Sequence, residues 1–317
     1  MWQEVISSKI FNQENVVRII KNVLRVSIPM SLCSLFSAST KTIDALTVVR
    51  ILKRIIGEET ATVQYGILNG KVDTLVMLPL SFNIAFATAL VPAISSAVTR
   101  KKIEDAKKRI EFSILISLLI GLPCSVLMST FSEYFLKLLF PNAYLGAEML
   151  KYSAWTIIFI ILTQTINGAL QGMGKVKTPV IAFGIGAVLK LLFNILLIPI
   201  YKVNGAAISS IICSFTIFLI CFMELRKSIS INFSIKKFLI KPIVSSIIMY
   251  IVSHTLFTKM YFIHSQNFKF IISITLGIIV YFFTIILLKI FTKEEIFMIP
   301  YGQKAYNKLK DKKAQNT

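Results

Sequence analysis

The residues of this chain that could do chemistry are ionisable and amide side chains set inside long apolar runs. Asp44, Arg50 and Lys53 form a first set. If a helix continues past Val49, Asp44 and Arg50 lie about a turn and a half apart. Lys53 is three residues beyond Arg50 and shares its face. That spacing reads as a basic rim able to attract an anion. The competing reading is a helix-end ion pair whose side chains reach out to the interface. Lys190 and Asn194 form a second set, four residues apart on one helix face, and Lys190 is the most centrally placed cation of the chain. A charge within a membrane is expensive, so Lys190 is a functional candidate by default. The expected partners of its ammonium are Asn194 and hydroxyls such as Ser31 or Ser34, with no carboxylate at hand; the alternative is an extended side chain ending at an interface. Asn83, Gln164, Asn167 and Gln171 lie within or at the end of apolar stretches. Buried amides must find partners, and bonding between helices is favoured over contact with a bound ligand.

Other chemistries are poorly served. Cys33, Cys124, Cys213 and Cys221 all fall in apolar segments, with no CxxC pair and no Cys/His cluster. They read as small buried hydrophobes, so no disulfide, metal or cofactor is expected. The two histidines are His254 and His264; a lone histidine such as His254 reads as a packing residue before a proton relay. A glycosyl or acyl transferase should show paired carboxylates or a His/Asp cluster at the membrane face. The pattern shows neither, and an enzyme is not expected.

The elements that must position these groups follow from composition. The chain has 317 residues, 55% of them hydrophobic, and a mean hydropathy of +0.74. Soluble domains average about 45–50% apolar, so the excess faces lipid. By the rule of about 20 apolar residues per span, about eight transmembrane helices are expected. They fall near residues 24–49, 73–98, 112–131, 150–173, 179–201, 205–223, 238–257 and 270–290. Pro29, Pro79, Pro92, Pro123 and Pro199 fall inside them, as kinks of packing or bends that let a lobe open. No secretory signal peptide is evident in residues 1–20.

The net charge of +20 does not signal nucleic-acid binding, because the basic residues cluster between apolar runs as in cytoplasmic loops. Arg100, Lys101, Lys102, Lys107, Lys108 and Arg109 mark one such loop, and Lys175 with Lys177 a second. Arg226, Lys227, Lys236, Lys237 and Lys241 mark a third, and the tail from Lys304 to Lys313 a fourth. Both termini are therefore expected in the cytoplasm. Arg50, Lys53 and Arg54 break the pattern on the outer side. KKIEDAKKRIE at 101–111 reads as a short amphipathic surface helix with Ile103, Ala106 and Ile110 on one side.

Four stretches, in order, carry a family resemblance: SIPMSLCSLFSASTKTIDALTVVRIL (27–52), YGILNGKVDTLVMLPLSFNIAFATALVPAISSAV (65–98), NGALQGMGKVKTP (167–179) and VLKLLFNILLIPIYKVNGAAISSII (188–212). With them the chain resembles the stage V sporulation protein B group of polysaccharide-biosynthesis membrane proteins. That group is related to lipid II flippases and, more distantly, to multidrug-and-toxin extrusion transporters. The resemblance implies an all-α integral membrane fold of two six-helix lobes, often with two extra helices. This chain would supply the second, multidrug-extrusion-like lobe (21–225) and the two extra helices (226–292). A cytoplasmic N-terminal segment (1–20) and a basic cytoplasmic tail (293–317) would flank them, and a first lobe would be missing. The implied function is a flippase, or its C-terminal lobe, in the bacterial cytoplasmic membrane. It would move undecaprenyl-pyrophosphate-linked peptidoglycan or polysaccharide precursors, as for the spore cortex. The implied partners are the lipid-linked glycan, membrane lipids and the absent lobe; the cavity candidates are Asp44, Arg50, Lys53, Lys190, Asn194 and Gln171. The alternatives are a drug/cation antiporter, for which Asp44 and Asp73 near helix ends offer few carboxylates, and a truncated fragment that does not transport. In some lipid II flippases the corresponding lobe is able to hold a sodium ion through Asn and Asp side chains. This sequence departs from that, with the Lys190 ammonium expected in place of the ion.

Overall fold

The computed structural model describes residues 13–141, 145–229, 234–260, 265–292 and 295. Residues 1–12, His264 and the tail lysines lie outside the described residues. The described residues are mostly helical, with short turns and loops between the helices. The elements are α1 (Gln13–Ile56), α2 (Glu58–Ile67), α3 (Asp73–Thr99), α4 (Ile103–Thr130), α5 (Ser132–Leu139) and α6 (Ala147–Ser153). They continue with α7 (Thr156–Gly172), α8 (Lys177–Tyr201), α9 (Val203–Ser228), α10 (Lys241–Lys259) and α11 (Gln266–Leu287). Among the described residues, eight stretches are long and apolar enough to cross a membrane, as the apolar runs require. Short helices or π-helical turns, Leu68–Val72 and Lys236–Ile240, extend some of them. All five intramembrane prolines lie within continuous helices.

Two boundaries differ from expectation. The first span continues through the basic residues Arg50, Lys53 and Arg54 to Ile56 and stops at Gly57, whose φ of 85° a helix cannot hold. The segment 101–111 is not a separate surface helix: α4 runs unbroken from Ile103. Ala106 and Ile110 are fully buried in the protein while Ile103 is exposed, so this apolar stripe packs on protein rather than on lipid headgroups.

Packing is set by a few close approaches. In α7, Gly168 and Gly172 turn towards α3, and a Cβ on Gly168 would stand 2.6 Å from the Ala87 carbonyl oxygen. Two small residues four apart let helix backbones touch, the usual device where lipid gives no hydrophobic drive. Gly174, at φ 76°, ends α7: Lys175 N–H reaches the Leu170 carbonyl at 2.8 Å and Gly174 N–H the Gln171 carbonyl at 2.9 Å, a Schellman cap. Around α7 gather α3, α4 and α9, while α1 lies along α8. The pair α10–α11 attaches through α4. There Tyr281 donates to the Leu119 carbonyl at 2.9 Å, and Phe131, Tyr134, Phe257 and Phe270 meet edge to face. Each such ring pair adds about 0.5–1.5 kcal/mol.

The outer surface carries Phe82, Ile200 and Ile286, each about 70% exposed. Apolar surface on this scale is untenable in water and natural against acyl chains.

Candidate functional site

The intramembrane charges converge where α1, α8 and α9 meet. The apolar run of α8 forces Lys190 and Asn194 into the interior, and Lys190 is only 2% exposed. An ammonium offers three N–H donors and needs three acceptors. It finds Asp44 Oδ1 of α1 at 3.0 Å, the Ala206 carbonyl of α9 at 3.0 Å and the Ser210 hydroxyl. Asn194 completes the arrangement. Its amide nitrogen donates to Asp44 Oδ1 at 2.8 Å and to the Thr47 hydroxyl at 2.7 Å, and its oxygen accepts from Ser209. One carboxylate therefore receives both α8 side chains.

This arrangement corrects the expected partners. Lys190 bonds neither to Asn194 nor to Ser31 or Ser34. Both serines are exposed on α1, and Ser34 turns back to the Met30 carbonyl at 3.1 Å. The carboxylate that the sequence did not offer to Lys190 is Asp44, brought in by the α1–α8 contact. Thr47, Ser209 and Ser210 were not anticipated. Thr47 is three residues after Asp44 and shares its face, and the two serines follow Ala206 within a turn of α9, a spacing that could have marked them.

Asp44 is thus drawn inward, away from the rim it was grouped with. Arg50 is exposed at the end of α1, and Lys53 pairs with Glu58 of α2 at 2.5 Å, both side chains more than half exposed. The acidic start of α2, Glu58 and Glu59, offsets the basic cluster that broke the charge pattern. Gln171 sits half-buried in the last turn of α7, away from the cluster. His254 packs 5.7 Å from the Tyr250 ring.

A second polar knot joins α3, α4 and α7. Asn83, fully buried, donates to the Ile161 carbonyl at 3.1 Å and meets Gln164 and Thr165 at 3.2 Å. Ser117 donates to its oxygen at 2.9 Å. This is the interhelix bonding expected of that amide.

No three His, Cys, Asp or Glu side chains converge as metal ligands among the described residues. A sodium ion held through Asn and Asp side chains, as in some lipid II flippases, does not fit here, because the Lys190 ammonium stands on Asp44 Oδ1 and Ser209 donates to the Asn194 oxygen.

Many lipid-facing helices and a buried ion pair between two of them define a polytopic membrane protein. Residues 6–292 match the family described as lipid II flippase MurJ, and the chain belongs to that family. It is 28% identical over 300 residues to the uncharacterized membrane protein YabM of Bacillus subtilis, covering 92% of this chain and 56% of that one. It is 27% identical over 180 residues to stage V sporulation protein B of the same organism, covering 56% of this chain and 35% of that one. A solved lipid II flippase MurJ in an inward closed conformation shares the fold, with a TM-score of 0.65 at 18% identity over 89% of this chain and 57% of that one. The chain thus spans about half the length, or less, of the relatives it matches.

Proposed function

We propose that this protein is half of a flippase for lipid-linked glycans, the half built from a six-helix lobe (21–225) and two further helices (226–292). Its substrate would be an undecaprenyl-pyrophosphate-linked peptidoglycan or polysaccharide precursor of the bacterial cytoplasmic membrane. The family membership and the shared fold support transport, and the kinship with a sporulation protein favours cell-wall material. A second lobe would face α1 and α3. The reading is favoured by the partial span of the relatives and by α1, whose surface beyond α8 is largely uncovered and apolar.

The observation that carries the mechanism is the closed shell around Lys190. Alternating access rocks one bundle against another, and within this lobe α1 is held to α8, and α8 to α9, by charged and hydrogen-bonded contacts made deep in the protein. The Lys190 ammonium acts as a built-in cation in this latch, in place of a dissociable one. Arg50, Lys53 and Gln171 remain outside the latch as candidate contacts to the substrate. Arg50 and Lys53 sit at the end of α1, where they would meet a pyrophosphate. Orientation with both termini inside is supported by the Lys175–Glu224 bridge at 2.8 Å, which brings two basic segments to one end of the molecule.

The test is translocation of a fluorescent undecaprenyl-pyrophosphate disaccharide in proteoliposomes. The chain is assayed alone and with the six-helix product of any coding region upstream of its first codon, or of a relative's N-terminal lobe. Translocation by the pair that is independent of sodium, and lost in Lys190→Ala, is the expected result. No translocation by any pairing, or a strict sodium requirement in the unmodified chain, overturns the reading. Single cysteines at positions 102 and 202, probed with an impermeant reagent in cells, check the orientation.

A further inference from the structure

Away from the Asp44 cluster, two cavities adjoin at the end of α4. The first, of about 440 Å³, lies between the end of α4, the start of α5, α6 and the second half of α10. The second, of about 340 Å³, lies between α4 and α10 beside Trp155. Ser129, Thr130 and Tyr250 line both. Beyond that common wall the two differ in chemistry. The first carries Glu133, Glu148, Lys151 and His254, whereas the second carries Val126, Trp155 and Ile247 and no charge. A charged chamber that opens into an apolar groove has the layout of an amphiphile. Trp155 and Tyr250, 42% and 39% exposed, stand beside the groove as such side chains do at a membrane–water interface.

The hydroxyls of the charged chamber are unusual. Most in these helices fold back on a carbonyl one turn earlier, as those of Thr74, Thr88 and Ser245 do. Ser129 and Ser132 are 9% and 7% exposed, yet neither hydroxyl has a hydrogen-bond partner among the described residues. Unlike the sealed hydroxyl of Ser125, these two open onto the cavity they line. Lys151 and the ring nitrogens of His254 also lack a polar partner among the described residues. These groups are donors without acceptors, and together they suit a phosphate. The carboxylates are half engaged. Glu133 holds Lys137 through Oε1 at 2.6 Å, and Glu148 accepts from Asn204 through Oε2 at 3.0 Å. One oxygen of each is left for a cation. A wholly anionic head would set charge against both carboxylates, and a soluble ion would leave the groove empty.

We propose that the joined cavities seat a bilayer phospholipid whose head bears both a phosphate and an ammonium. The phosphate meets Lys151, His254 and the two serines, the ammonium meets Glu133 and Glu148, and an acyl chain lies in the groove. The site is independent of the flippase reading, since no residue of α1, α8 or α11 lines either cavity. It would fasten α10 to the six-helix lobe with a lipid at one end, where Tyr281 fastens the α10–α11 pair through α4 by a direct bond.

The experiment uses the full chain, purified in a mild detergent, with dioleoylphosphatidylethanolamine as the probe. Dioleoylphosphatidylglycerol, dioleoylglycerol and the chainless glycerophosphoethanolamine are the controls, and native mass spectrometry reads the lipid retained. The ethanolamine lipid should bind more tightly than all three. Lys151→Gln, and Ser129→Ala with Ser132→Ala, should each weaken it about 3–10-fold, as for the loss of one or two hydrogen bonds. Glu148→Gln should weaken the ethanolamine lipid and strengthen phosphatidylglycerol, a reversal that a merely structural role would not produce. Circular dichroism checks that each variant is folded. Equal retention of phosphatidylglycerol or dioleoylglycerol, or unchanged affinity in both the lysine and the serine variants, overturns the proposal. Tighter binding of undecaprenyl phosphate than of the ethanolamine lipid overturns it as well, and would give the groove to a polyprenyl chain.

Discussion

The ammonium of Lys190 lies 3.0 Å from the Asp44 carboxylate, joining α8 to α1 at a point where Lys190 is 2% and Asp44 19% exposed. Breaking a buried pair from one side costs about 3–5 kcal/mol, because the survivor keeps its charge without compensation. The two sides are unequal here. In Lys190→Met the surviving carboxylate still accepts from Asn194 and reaches some solvent. In Asp44→Asn the surviving ammonium is fully buried against neutral oxygens. Asp44→Asn should therefore be the more destabilising, and Lys190→Met should sit at or below the low end of that range. The double variant removes both charges and should recover part of the loss, with a coupling of about 0.5–3 kcal/mol. Unfolding in mixed detergent micelles, followed by circular dichroism, measures all four corners. Additive losses would show that the pair does not act as a unit.

The number and place of the spans were legible in the sequence because hydropathy and length are local properties. So was the sharing of one α8 face by Lys190 and Asn194, which four-residue spacing dictates. The partner of Lys190 was not legible, because it depends on which helix lies beside α8 and at what height. Asp44 was grouped with Arg50 by chain proximity, yet along a helix those two point away from each other, and a tertiary contact decided between them. Of the three glycines in NGALQGMGK (167–175), only Gly174 ends a helix. Gly168 and Gly172 serve the α3 contact, a use that composition cannot distinguish from turn chemistry.

Asn83 tests how much an amide knot contributes where water is absent. It contacts α4 and α7 through several hydrogen bonds, but Ser117 and Thr165 also bond each other at 2.6 Å and would remain paired without it. Interhelix hydrogen bonds in membranes average about 0.6 kcal/mol. Asn83→Leu should then cost about 1–2 kcal/mol in the same unfolding assay, far less than the bond count suggests. A loss as large as that of Asp44→Asn would mean that the knot is strongly cooperative.

Gly168→Ala adds one methyl group where α7 meets α3. The new Cβ would lie 2.6 Å from the Ala87 backbone oxygen, and backbone cannot swing aside as a flexible side chain can. Overpacking of this kind costs about 1–3 kcal/mol. Gly66→Ala is the control, since a Cβ there meets nothing within 4 Å and helix propensity favours alanine. The expected result is a loss at position 168 and no loss at 66. A neutral Gly168→Ala would mean that α3 and α7 can separate without penalty.

Three helix ends share one cap geometry with different residues at its left-handed position. Gly174 fills it after α7, but after α3 it is Lys101 at φ 57° and after α11 Lys289 at φ 47°. The bonds correspond: Lys102 N–H to the Ala97 carbonyl at 2.9 Å, and Ile290 N–H to the Ile285 carbonyl at 3.3 Å. A residue with a Cβ gives up about 1–2 kcal/mol in this conformation and glycine does not. Lys101→Gly and Lys289→Gly should therefore each stabilise the protein by about 1 kcal/mol, while Gly174→Ala should destabilise it by a similar amount. Both lysines lie at the end of the molecule read as cytoplasmic, where positive charge fixes the insertion of the chain. If charge outweighs conformation there, the glycine variants will unfold at higher denaturant once purified yet accumulate less in cells. A fall in the purified stability of both lysine variants would contradict the cap argument, and unfolding curves for the three variants beside the unmodified chain decide it.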